Sequence, residues 1–312
     1  MRIRFQAVAL LLLMGGCGDS GPRGSAAPPL VATSGVGDAA WTQALLDHRR
    51  EVDEEFRTST TSPMAGVQRL ASEAVDRLFL IRQDGSFTLS ETADPGAQLG
   101  VSRRGTSWTW ERLNEDVVGE AEGEPVEPGA ALSGPTVFSV AGHHVRFYPG
   151  EVEVIFTVYD PERPEKKAFD HLLYFPPDRS YAVPARLFRL SEPEEVEMLT
   201  SRSLKKTLYR YATIRFRLEG EEQELTAFKS ALDGGGARSL FIPFRDATSG
   251  SEAYGAGRFL DVEEPKGEEF ILDFNRAYNP LCNYSPAYNC PIPPRENHLP
   301  VAVRAGEKTY PH

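Results

Sequence analysis

The chain has 312 residues and a formal net charge of −11, with 45 acidic side chains against 34 Lys and Arg. A composition of 40% hydrophobic and 25% charged residues is that of a globular protein with real cores, and it excludes bulk disorder and a polytopic membrane protein. The acidic balance excludes nucleic acid as a partner, because counterion release needs clustered Lys and Arg. A length of this order accommodates two domains once a leader is set aside.

The first residues read as such a leader. Arg2 and Arg4 precede an apolar run from Phe5 to Met14, followed by Gly15, Gly16 and Cys17. This is the layout of a lipoprotein signal over residues 1–16, with Cys17 as the acylated first residue of the mature chain. Met14 departs from the Leu usual at that position, and a plain secretory signal is the alternative. The run is short for a membrane span. Residues 17–38 are rich in Gly, Ser, Ala and Pro and are expected to form a flexible tether. Lipid at Cys17 would place the protein in a bacterial cell envelope. The lack of Asp directly after Cys17 favours the outer membrane.

Two domains are expected beyond the tether, over residues 39–160 and 161–312. Trp41, Leu45, Val52 and Phe56 recur at helical spacing, with Asp38 as a candidate N-cap. The opposite face is not basic, so the stripe is expected to dock on the protein, not on a membrane. After Pro63 the pattern changes to period two. Asp84-Gly85 separates two alternating runs as a hairpin turn, and further breaks fall at Ala141-Gly142 and Pro149-Gly150. Residues 118–134, rich in Glu, Gly and Pro, are expected to be loop. A second hairpin is centred on Glu219 to Glu222, and strands are expected at Leu240–Phe244, Gly257–Val262, Phe270–Phe274 and Val301–Val303. The fold class is therefore mainly β: an N-terminal helix, a β-sandwich-like domain, and a C-terminal antiparallel barrel or sandwich.

The densest chemistry lies between Phe241 and Glu307. FIPFRDATSG carries Arg245, Asp246 and Thr248, and alternation would put Arg245 and Asp246 on opposite faces unless the strand ends at Phe244. AYGAGR sets Tyr254 and Arg258 around two glycines, a combination suited to bidentate anion binding or to an ion pair with Asp246, Asp261 or Asp273. LDFNRAYNP supplies Asp273, Asn275, Tyr278 and Asn279, and RENH supplies Glu296 and Asn297. These blocks resemble the bacterial family known as domain of unknown function 1684, which brings no established activity. The segment after Pro63 resembles the N-terminal part of the same family and, distantly, a forkhead-associated sandwich. The Arg, Ser and His pattern that holds phosphothreonine is not recognisable, so phosphopeptide binding is not implied.

Three readings of this block stay open. One is a binding site for a small polar or anionic ligand or an envelope partner, built from Arg245, Asp246, Thr248, Tyr254, Arg258, Asp273, Asn275, Asn279 and Asn297. A second is a hydrolase acting on an envelope component, with Asp246 or Glu296 as general base. The third is a purely structural polar network. Cys282 and Cys290, an even pair once Cys17 is acylated, are expected to form a disulfide in an oxidising compartment. His298 lies too far from them for a usual zinc spacing, the acidic residues match no calcium loop, and no metal or cofactor is expected. Neither a G-x-S-x-G elbow nor an H-E-x-x-H helix is present.

Overall fold

The computed structural model describes residues 37–311 except 74, 133, 151–152 and 234–237. The leader, Cys17 and nearly all of the tether lie outside these residues. Helix α1 (Asp38–Thr58) opens the described chain, and Gly37 is its N-cap. Asp38, expected as cap and end of the tether, is instead the first helical residue, where its charge still complements the positive end of the helix. Trp41, Leu45, Val52 and Phe56 are buried, and Arg49 is buried in the same stripe.

Strands β1 (Gly66–Glu73), β2 (Arg77–Gln83), β3 (Ser86–Ser90), β4 (Ala97–Arg104), β5 (Ser107–Arg112), β6 (Val118–Ala121), β7 (Glu124–Val126), β8 (Ala131–Leu132), β9 (Thr136–Val140), β10 (His143–Tyr148) and β11 (Glu153–Tyr159) build two antiparallel sheets. Their orders are β1-β11-β10-β9-β6-β7 and β3-β2-β4-β5-β8. Alternating side chains from both sheets, among them Leu80, Trp108, Phe138, Phe147 and Phe156, fill one core between them. The Asp84-Gly85 and Ala141-Gly142 turns have both residues at positive φ, the geometry whose twist matches flanking strands. The expected loop at 118–134 instead contains β6, β7 and β8. Glu122-Gly123 makes another such turn there, and Pro125 is tolerated because β7 is a sheet edge.

A short helix, α2 (Pro164–Lys167), precedes the remaining strands: β12 (Ala182–Leu199), β13 (Lys205–Leu218), β14 (Glu221–Lys229), β15 (Ser239–Phe244), β16 (Arg258–Glu263) and β17 (Glu269–Asp273). They form one antiparallel sheet in the order β16-β15-β14-β13-β12-β17, curled into a half-barrel. Its edges do not pair with each other. Leu299, Val303 and Ala305 from the C-terminal segment pack instead into the core lined by Leu187, Ile214 and Phe244. Residues 301–303, expected as a strand, are not one, because the carbonyls of this segment face side-chain and loop donors and no ladder partner.

A further apolar cluster joins the pieces. Val52 and Phe56 of α1, Tyr159 at the end of β11, Phe169, Tyr284 and Tyr288 meet in it. Burying a side chain such as Phe56, 1% exposed, is worth about 1.5–3 kcal/mol, so the helix is docked by its own stripe. No described helix is long and apolar enough to cross a membrane.

Candidate functional site

β15 ends at Phe244, so strand alternation does not govern the next two residues. Asp246 turns inward, while Arg245 stays half-buried with its stem beside Gly257. Gly257, at φ +99°, leaves no room for a Cβ: one would lie 2.6 Å from the Phe244 carbonyl oxygen. That close approach delivers Arg258, the first residue of β16, into the interior.

Arg258 has no exposed surface. Its Nη2 donates to Asp246 Oδ2 at 2.5 Å and to the Val303 carbonyl at 2.8 Å. Its Nη1 donates to the carbonyls of Ala305 and Glu307. The rings of Phe175 and Phe244 lie 5.7 and 5.3 Å from the guanidinium carbon. Burial pulls the guanidinium below its ordinary value, and the Asp246 carboxylate opposes that shift. On the other oxygen, Asp246 Oδ1 accepts from the Thr248 amide at 2.6 Å and from the Thr248 hydroxyl. Both side chains of the ion pair are fully enclosed.

The expected asparagines are also interior, and each braces backbone. Asn297 Nδ2 donates to the carbonyls of Thr226 and Pro243, at 2.8 and 2.7 Å, and its Oδ1 accepts from the Thr226 amide at 2.8 Å. It thereby bridges β14 and β15, whose own register pairing is limited to Phe228 and Phe241. Asn275 Oδ1 accepts from the Asp178 amide, and its Nδ2 donates to the Asp178 carbonyl and to Asp273 Oδ1. Asn279 donates through Nδ2 to the Lys308 carbonyl at 2.7 Å and through its amide to Glu307 Oε2 at 2.7 Å.

These groups hold the N-terminal helix as well. Trp41 Nε1 donates to Asp273 Oδ2 at 3.1 Å, and Arg49 donates to the carbonyls of Phe175 and Asn275. Burial lowers the Arg49 value, with Tyr174, Glu307 and Asp273 opposing. Sequence reasoning did not single out Arg49 or Glu307. Arg49 sits at i+4 from Leu45 and i−3 from Val52, within the apolar stripe, and that placement was the available signal. Glu307, 1% exposed, also accepts from Tyr284 Oη at 2.6 Å; nothing in its local sequence marks it.

The structure thus brings Arg258, Asp246 and Thr248 together, and places Asp273 with Asn275. Other expected members lie elsewhere. Tyr254 donates to the carbonyl of Cys282 at 3.4 Å, Tyr278 to exposed Asp261, and Glu296 accepts from Arg210 at 2.7 Å on the surface. Asp246 and Glu296 do not converge as a carboxylate pair, since one is enclosed and the other is bound at the surface. Among the described residues no three His, Cys, Asp or Glu side chains gather as metal ligands. A concavity of about 340 Å³ lies in the N-terminal sandwich, lined by residues such as Arg103, Trp108, Leu132 and Pro149, and none of the expected site residues lines it.

Cys282 and Cys290, expected as a disulfide, are not joined by one in this structure. They are in contact: the Cys282 amide approaches Cys290 Sγ at 3.2 Å. A hydrogen bond with Cys290 leads the causes that lower the Cys282 thiol from 9.0 to about 7, with Tyr254 and Ser201 adding to it against the effect of burial.

Residues 167–308 match the family model described as "Protein of unknown function (DUF1684)". This match covers the half-barrel and its C-terminal segment and leaves the N-terminal sandwich outside. The chain is also 42% identical to an uncharacterized protein from gene locus rrnAC0354 of Haloarcula marismortui, solved by solution NMR, over 48% of this chain and 83% of that one, with a TM-score of 0.41. Residues 167–308 thus form a region similar to the DUF1684 family. A comparison with curated proteins found no match.

Proposed function

We propose that this protein is a lipid-anchored envelope protein whose family region is a rigid module held closed by its own polar block, so that any recognition of a partner falls to its outer surface. The observation that carries this reading is the enclosure of Arg258. An arginine that grips an external anion must keep part of its fork open, and this one donates to Asp246 and to three main-chain carbonyls with no exposed surface. The general-base reading finds no support in Asp246, whose two oxygens are both engaged away from solvent. Acylation at Cys17 rests on the leader pattern of Arg2, Arg4, the apolar run and the Gly15-Gly16-Cys17 junction.

The two halves of the proposal are tested separately. For the module, native mass spectrometry of the purified protein should show no retained small molecule, and Arg258→Ala should lower stability. A co-purifying polar ligand that Arg258→Ala loses at unchanged stability overturns the structural role. For the anchor, Cys17→Ala should abolish incorporation of labelled palmitate and release the protein from the membrane fraction. Unchanged membrane association in that variant sinks the lipoprotein assignment.

A further inference from the structure

We propose that Cys282 and Cys290 form a thiol–disulfide exchange site, in which Cys282 attacks a low-molecular-weight disulfide and Cys290 resolves the product. This goes beyond the structural role of Arg258 and does not depend on it.

The two sulfurs are adjacent but unequal. Cys282 is half-buried, whereas Cys290 is 2% exposed and sits among the apolar residues at the junction of the two halves. One thiol can therefore be reached from solvent, and the other lies behind it. Donors surround the reachable one: Tyr254 Oη is 3.6 Å from Cys282 Sγ, and the Ser201 hydroxyl also bonds to it. Such donors stabilise the anionic form, which is the nucleophile. The thiol value of about 7 agrees with that placement.

The loop that carries the pair does not rely on a sulfur–sulfur bond to stay in place. The Ser201 amide donates to the Cys290 carbonyl at 2.8 Å, and the Cys290 amide donates to Ser201 Oγ at 3.1 Å. The Arg202 amide donates to Asn289 Oδ1 at 3.1 Å, and Ser285 Oγ donates to the Gly66 carbonyl at 2.6 Å. Hydrogen bonds thus fix the loop without a bond between the two sulfurs, so a change between two covalent states need not displace it.

The reaction balances as follows. The Cys282 thiolate attacks one sulfur of the external disulfide, forming a mixed disulfide and expelling the other half as a thiolate. Cys290 then loses its proton and attacks Cys282 Sγ. That step forms the internal disulfide and expels the second half as a thiolate. The two cysteines lose two electrons, the external disulfide gains them, and the two released thiolates take up the protons according to pH.

The test uses the reduced full-length protein with glutathione disulfide as probe, read by peptide mapping so that Cys17 is scored apart. Wild type should form the internal 282–290 disulfide without denaturant. Cys290→Ser should accumulate one glutathionyl group on Cys282, and Cys282→Ser should leave Cys290 unmodified in the folded protein. Iodoacetamide should label Cys282 at least about tenfold faster than Cys290, as expected for a half-buried thiolate against a buried thiol. The rate should rise with pH around a midpoint near 7. The proposal is overturned if Cys282 in Cys290→Ser reacts only after urea, if Cys290 takes glutathione first, or if the native bond withstands excess reduced glutathione.

Discussion

The guanidinium of Arg258 and the carboxylate of Asp246 meet at 2.5 Å with neither side chain exposed, twelve residues apart in sequence. Removing one member of such a pair strands the other charge away from water. Arg258→Ala should therefore lower the unfolding free energy by about 3–5 kcal/mol. The three carbonyls it serves would lose their donor in the same step. A urea titration should show a lower midpoint at an unchanged slope, and a shift under 1 kcal/mol would contradict the keystone role.

Trp41 and Asp273 make a second long-range link, across 232 residues. Trp41→Phe keeps the ring in the stripe and removes only the indole donor. A hydrogen bond to a charged acceptor is worth about 1.5–3 kcal/mol, which sets the expected loss. Because the link holds α1, limited proteolysis within 38–58 should accelerate. Faster cleavage elsewhere with α1 still protected would show that other contacts dock the helix.

Two glycines separate backbone strain from crowding. Gly220 and Gly306 both have positive φ, at +84° and +76°. A Cβ at Gly220 meets nothing within 4 Å, but at Gly306 it would lie 2.4 Å from the Ala277 carbonyl oxygen and 2.8 Å from that of Phe274. Gly220→Ala should cost about 1–2 kcal/mol through conformation alone. Gly306→Ala adds overpacking of roughly 1–3 kcal/mol on top of it. Thermal melts of the two variants should differ accordingly, and equal losses would remove the case for close packing at Gly306.

Glu264 predicts part of the acid response. Burial raises its value, but hydrogen bonds from Lys229, Arg189 and Tyr211 outweigh that and hold it below its ordinary 4.5. A depressed carboxylate contributes stability that is complete above the unfolded value and is lost as pH falls through the folded one. The contribution should thus be present above about pH 4.5 and fade below it. Measured across that range, Glu264→Gln should be less stable than wild type near neutrality and should converge on it in acid. A constant gap at all pH values would be the contrary result.

Much of the architecture was legible along the chain. Period-two runs, Asp84-Gly85 and Glu219-Gly220 located hairpins, and the spacing of Trp41, Leu45, Val52 and Phe56 located the helix, because these signals act between near neighbours. Residues 118–134 hid three short strands, since two- to four-residue segments carry too little alternation to be seen. The polar block was also visible as a concentration of Arg, Asp and Asn. Whether those side chains faced a ligand or their own backbone was invisible, because one Arg suits either partner equally well. Long-range packing decided it for Arg258: residues 303–307 return across the open half-barrel and present their carbonyls to it. Cys282 and Cys290 divide in the same way. Their number and spacing marked a pair, but only the folded loop made one thiol reachable and buried the other, since exposure is a property of distant segments brought together.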